Sequence, residues 1–194
     1  NPDANKPAGA ISQRDIENSL RFDNRLMAFD TTVQGLLNIL NWGAGLGPNN
    51  GGFPQIGGVA YSYDPTLPGN VGTTPGSRIR DLALIDEDGN VIVKLVDNGV
   101  VLQDVPSRIT VVTLNFTANG GDGYPTKANG ENFRYLLADG TLSAAVDEAL
   151  DFTSAAGFTG GGTIAANVLG EQKAFSNYIS ENFSTPETAY DTAD

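Results

Sequence analysis

Apolar positions along this chain recur with two periods, and the switches between them locate the elements. Ser12 followed by Asp15 supplies an N-cap and an acidic first turn for a short helix over 13–20. Residues 25–29 (RLMAF) read as a strand. Asp30 or Thr31 then caps a second helix, in which Val33, Leu36, Leu37 and Leu40 fall at i, i+3, i+4 and i+7, with Gly43 ending it. Residues 59–63 alternate as a strand, 78–85 form another, and 86–90 (DEDGN) make a hairpin turn into 91–93. The most β-branched segment, 108–116 (RITVVTLNF), is expected to be a central strand. Beyond Gly130 the pattern predicts helices over 131–138 and 143–150. A last amphipathic helix over 171–183 carries Phe175, Tyr178, Ile179 and Phe183 on one face.

Between these elements lie two long loops rich in glycine and proline: 43–52, of a length that compact domains give to binding loops or leave disordered, and 64–76, a second surface loop. Residues 1–11 read as an extended lead-in, 12–184 as one domain and 185–194 as a polar tail. There is no repeat and no heptad. Strands mix with helices in no strict βαβ order, which predicts an α+β fold of mixed β-sheets flanked by helices.

Composition narrows the chemistry. The 194 residues include 11 basic and 23 acidic side chains, a net charge of −12, with 40% apolar residues to bury. Such a balance opposes nonspecific nucleic-acid binding, which needs lysine and arginine to displace phosphate counterions, and docking on anionic lipid. Histidine and cysteine are both absent. Ser-His-Asp and Cys-His centres, thiol nucleophiles, disulfides and zinc ribbons are therefore excluded. No stretch approaches the roughly 20 apolar residues of a membrane span, and the amino terminus has no basic and apolar signal-peptide pattern.

Several short motifs match chemistry formally. Residues 160–165 (GGGTIA) satisfy G-x-G-x-x-A, but no strand precedes them, so a loop is the better reading. Asp86, Asp88 and Asn90 begin like a calcium loop; Gly89 sits at position 4 and Asp97 at position 12, so a hairpin turn is preferred. The sequons at Asn115 and Asn182 each carry a buried-type phenylalanine at the end of a core element and read as chance matches. Phe53 follows a glycine pair in GGFPQ, and Tyr124 follows three glycines in GGDGYP. Singly, each aromatic is a core plug; together, on glycine-permitted loops beside strand ends, they form a possible clamp for a flat ligand.

The order of the segments adds more. Residues 14–24 (RDIENSLRFDN), 52–58 (GFPQIGG), 63–65 (YDP) with 76–78 (GSR), and 115–116 (NF) through 119–124 (NGGDGY) together resemble the C-terminal domain of the 5'-nucleotidase family. That family also includes UDP-sugar hydrolases and cyclic-nucleotide phosphodiesterases, and the resemblance covers residues 11–127 and extends to the last helix. It implies a nucleoside- or nucleotide-binding domain for substrate specificity, with no catalytic or metal-ligating residue in this chain. Phe53 and Tyr124 match the two base-stacking positions and Gln55 a polar position at the base edge. Asn129 and Glu131 are the nearest candidates for the acidic residue that holds the ribose. Hydrolysis of the phosphate ester falls to an N-terminal metallophosphoesterase domain of the same parent chain, where two divalent metal ions activate water. That domain, and the family's Asn-Gly-Gly-Gly-Ile-Arg loop, would precede residue 1, and the protein would be periplasmic or extracellular. The rival expectation is a non-catalytic extracellular interaction module that kept the fold. A carbohydrate-binding domain would need Trp42, Tyr61 and Tyr63 on an exposed face.

Overall fold

The computed structural model describes residues 10–154 and 167–185. Most of the lead-in, the glycine cluster at 160–162 and most of the tail lie outside the described residues. The helices are α1 (Gln13–Ser19), α2 (Val33–Leu46), α3 (Asn115–Ala118), α4 (Thr126–Asn129) and α5 (Glu171–Asn182). The strands are β1 (Leu26–Thr31), β2 (Val59–Tyr63), β3 (Ile79–Ile85), β4 (Val91–Asp97), β5 (Val100–Val101), β6 (Ile109–Leu114) and β7 (Gly130–Tyr135). They form two antiparallel sheets, one ordered β6-β1-β7 and the other β2-β3-β4-β5. The fold is α+β, as the patterning predicts.

Helix α2 holds the two sheets together. Its Ile39 and Trp42 join Met27, Phe29, Phe133 and Tyr135 of the three-stranded sheet in one core. Its Val33, Leu36, Leu37, Leu40 and Ala44 join Ile79, Leu82, Leu95 and Val96 of the four-stranded sheet in the other. A helix apolar on nearly every side has to be covered on nearly every side. Thr32 caps it by accepting the Gly35 N–H. At the far end Arg78 donates to the carbonyls of Ala44 and Gly45, which the helix leaves open, and Asn70 donates to the Trp42 carbonyl. Buried Asn41 accepts the Ile79 N–H at 2.7 Å and pins the helix to β3.

Five expectations change. The cap of α2 is Thr32, not Asp30 or Thr31, because the strand β1 runs on through Thr31. Gly43 does not end α2, which runs on to Leu46 and stops at Gly47 with φ +85°. Gly43 is instead where the helix is approached closely: a Cβ there would lie 2.4 Å from the Tyr124 hydroxyl and 2.7 Å from Pro54. Residues 108–116 do not supply a central strand, because β6 is an edge and β1 takes the middle place. Residues 131–138 are not helical. Gly130–Tyr135 pairs with β1, and Phe133 and Tyr135, two apart, both point into the core. Residues 143–150 come after that strand without forming a helix, with the Ser143 and Val146 N–H groups donating to the Tyr135 and Phe133 carbonyls. Of the last helix, Phe175 and Tyr178 remain exposed, and its N-terminus docks on the α1 end through Gln172, which donates to the Leu20 carbonyl.

Candidate functional site

The turn after α1 carries Phe22, Asp23, Asn24 and Arg25, and hydrogen bonds fix it from two sides. Arg25 N–H donates to Asn115 Oδ1 and Asn115 N–H to the Arg25 carbonyl, which joins the turn to the start of α3. Asn24 donates from its backbone and side chain to Glu171, whose N–H returns to the Asn24 carbonyl. The next residue on α3, Phe116, is thereby placed beside the turn. Asn115 is buried, and its amide also donates to the Phe152 carbonyl, so this sequon asparagine is a structural tie.

Glycines shape the loop after α3. A Cβ on Gly121 would lie 2.3–2.5 Å from Phe116 ring atoms, so only glycine lets the loop close over that ring. Asp122 then adopts φ +53°, a region a non-glycine residue rarely enters, and its carbonyl accepts the Trp42 indole N–H at 3.0 Å. The loop after α2 closes on the same place. A Cβ on Gly52 would meet Asp122 Oδ2 at 3.1 Å, and the Gly52 carbonyl accepts the Tyr124 hydroxyl at 2.7 Å.

These segments enclose a cleft of about 750 Å³, lined by Phe22, Asp23, Asn24, Arg25, Asn50, Gly51, Gly52, Asn115, Phe116, Asp122 and Thr153. Phe22 is 81% exposed and Phe116 42%, so both rings are offered to whatever enters. The Arg25 guanidinium is bound to the Asp23 carboxylate at 2.7 Å and to its carbonyl at 3.1 Å. The cleft therefore offers two aromatic rings, the Asp122 carboxylate and several amides, with its lining arginine already paired.

None of the binding residues singled out from sequence lines this cleft, and Asn129 and Glu131 sit at the other end of β1, beside Thr31 and Asp30. Tyr124 is only 9% exposed, with its ring in the core beside Trp42; desolvation pushes its hydroxyl up to about 12. Phe53 is half-buried and packs against Tyr63, ring centroids 5.9 Å apart. The two are thus brought near each other through Gly52, but the Tyr124 ring has no free face for a clamp. Gln55 is exposed on the loop before β2. Asn129 is held by Asn38 and by the Pro125 carbonyl, and Glu131 pairs with Arg108. Trp42 is buried, contrary to what a carbohydrate platform would need.

Comparison with known proteins gives a context. The model of the family described as "5'-nucleotidase, C-terminal domain" matches residues 1–129. The chain belongs to this family. Among solved structures, that of a 5'-nucleotidase precursor from Thermus thermophilus is 24% identical, with a TM-score of 0.58 over 97% of this chain and 27% of that one. It has the same fold, and this nucleotidase-type domain spans about a quarter of its length. A Haemophilus influenzae NAD nucleotidase is 20% identical, with a TM-score of 0.40 over 59% of this chain and 18% of that one. No curated protein matches.

Phe22, Phe116 and Asp122 are the residues that sequence reasoning passed over. Phe22 carried a signal, standing between Arg21 and Asp23, off every apolar stripe. Phe116 did not: its sequence reading as a buried-type phenylalanine is corrected by the structure, where Asn115 takes the buried position and Phe116 is exposed.

Proposed function

We propose that this nucleotidase C-terminal domain binds the nucleoside part of a nucleotide and leaves hydrolysis of the phosphate ester to a separate domain of its parent protein. The observation that carries the reading is the pair of exposed rings, Phe22 and Phe116, on one cleft with the Asp122 carboxylate. A base stacks on the rings, and the carboxylate accepts hydrogen bonds from a vicinal diol such as ribose. Tyr124 supports the wall: its hydroxyl holds the Gly52 carbonyl against the Asp122 loop. Family membership and the Thermus 5'-nucleotidase precursor support the substrate class.

The two divalent metal ions of this reading belong to the hydrolytic domain. The residues of this chain do not fit them: histidine and cysteine are absent, and among the described residues no group of three carboxylates could hold a metal. A periplasmic or extracellular location comes from the same family reading. Among the described residues, no helix is long and apolar enough to cross a membrane.

Stacking contributes about 1–3 kcal/mol per base on an aromatic, so two rings give roughly millimolar affinity. Titration with adenosine followed by NMR is expected to move the amides of Phe22, Gly52, Phe116 and Asp122. Phe22→Ala and Phe116→Ala should each weaken binding by about 1–3 kcal/mol with the fold intact. No saturable binding, or binding indifferent to both substitutions, would overturn the proposal and favour an interaction module.

A further inference from the structure

The cleft wall holds an Asn-Gly dipeptide, Asn50-Gly51. The chain contains four Asn-Gly pairs, at 50–51, 98–99, 119–120 and 129–130. In such a pair the glycine nitrogen can attack the asparagine carboxamide, because no Cβ hinders closure of the five-membered imide. Attack requires a glycine N–H and a leaving carboxamide nitrogen that do not already donate to other partners.

Three of the pairs are committed. The Gly99 N–H donates to the Arg80 carbonyl at 2.7 Å. Asn119 donates to Asp151 and accepts from Phe152 N–H, while Gly120 N–H donates to the Thr117 carbonyl. Asn129 donates to the Pro125 carbonyl and accepts from Asn38, both at 2.8 Å. Asn50 differs. It and Gly51 are exposed, and neither the Gly51 N–H nor the Asn50 Nδ2 donates to any partner among the described residues. The Asn50 Oδ1 accepts the Gly52 N–H at 2.8 Å, which draws electron density from the carbon under attack.

We propose that Asn50 is a modification site, where the carboxamide closes on the Gly51 nitrogen to a succinimide and hydrolyses to aspartate and isoaspartate. The Gly51 nitrogen forms a bond to Asn50 Cγ, and the side-chain nitrogen leaves as ammonia, taking up the amide proton. Water then opens one of the two carbonyl–nitrogen bonds of the imide and is the only co-reactant. The product adds a third carboxylate to a cleft lined by those of Asp23 and Asp122. Isoaspartate also lengthens the backbone of the turn that Tyr124 anchors at Gly52.

The test is incubation of the intact chain at mildly alkaline pH, with peptide mapping by mass spectrometry and isoaspartyl methyltransferase labelling. Conversion should accumulate at Asn50 ahead of Asn98, Asn119 and Asn129, and the four should converge in urea. Gly51→Ala should reduce conversion at position 50 to the level of the other three; a Cβ at Gly51 meets nothing within 4 Å, so the fold is kept. Conversion at Asn50 no faster than elsewhere, unchanged conversion in Gly51→Ala, or the same order of sites in urea would each overturn the proposal. None of these readouts requires a ligand.

Discussion

Tyr124 belongs at once to the core and to the wall of the cleft. Its ring is core, while its hydroxyl spans to the Gly52 carbonyl and fixes the loop beside Asp122. Tyr124→Phe keeps the ring and removes that bond, an expected loss of about 1 kcal/mol in urea unfolding. Burial also raises the tyrosine hydroxyls of both Tyr124 and Tyr135 to about 12, from an ordinary value of 10.0. The folded state therefore favours the neutral, protonated form. The stabilising contribution is fully present below pH 10 and is lost as pH rises toward 12. Melting temperature should fall through that window, and Tyr124→Phe should make the fall shallower. An equal fall in the variant would assign the alkaline sensitivity to other groups.

At the scale of elements, α2 decides the architecture, because each sheet buries a different side of it. Leu40 packs only in the core shared with the four-stranded sheet, whereas Trp42 packs only in the core shared with the three-stranded one. Leu40→Ala should cost about 2–5 kcal/mol, read as a lower urea midpoint with an unchanged slope. A changed slope would mean that the two cores unfold separately. The apolar spacing of α2 was legible in the sequence because its buried face spans i, i+3, i+4 and i+7. Strand β7 was not: Phe133 and Tyr135 alternate over too few residues for period two to stand out from 3.6. Its partner β1 is about a hundred residues away in sequence, and only that pairing settles the conformation.

For the whole molecule, the net charge of −12 and the absence of histidine bound the chemistry. The chain incubated with a divalent metal and a nucleoside monophosphate is expected to release phosphate at the background rate. Metal-dependent release that disappears on mutating a carboxylate of this chain would contradict the division of labour proposed above. Because Arg25, the one arginine lining the cleft among the described residues, is already paired with Asp23, nucleoside should bind about as well as its monophosphate.

Sequence by itself determined the fold class, the family resemblance now supported by the family match, and the exclusion of histidine- and cysteine-based chemistry. Each of these depends on composition, local spacing or the order of motifs along the chain. It also located the loops that build the site, since GGFPQ and GGDGY both close on the cleft wall. Tertiary structure decided which aromatics face the cleft. Tyr124 and Phe116 stand within one segment of similar composition, yet Tyr124 is buried in the core that also holds Trp42 while Phe116 is exposed. The choice rests on contacts between segments distant in the chain: Arg25 with Asn115, Trp42 with Asp122, and Gly52 with Tyr124. Local propensity carries no information about such contacts, because burial is a property of where the rest of the chain lies.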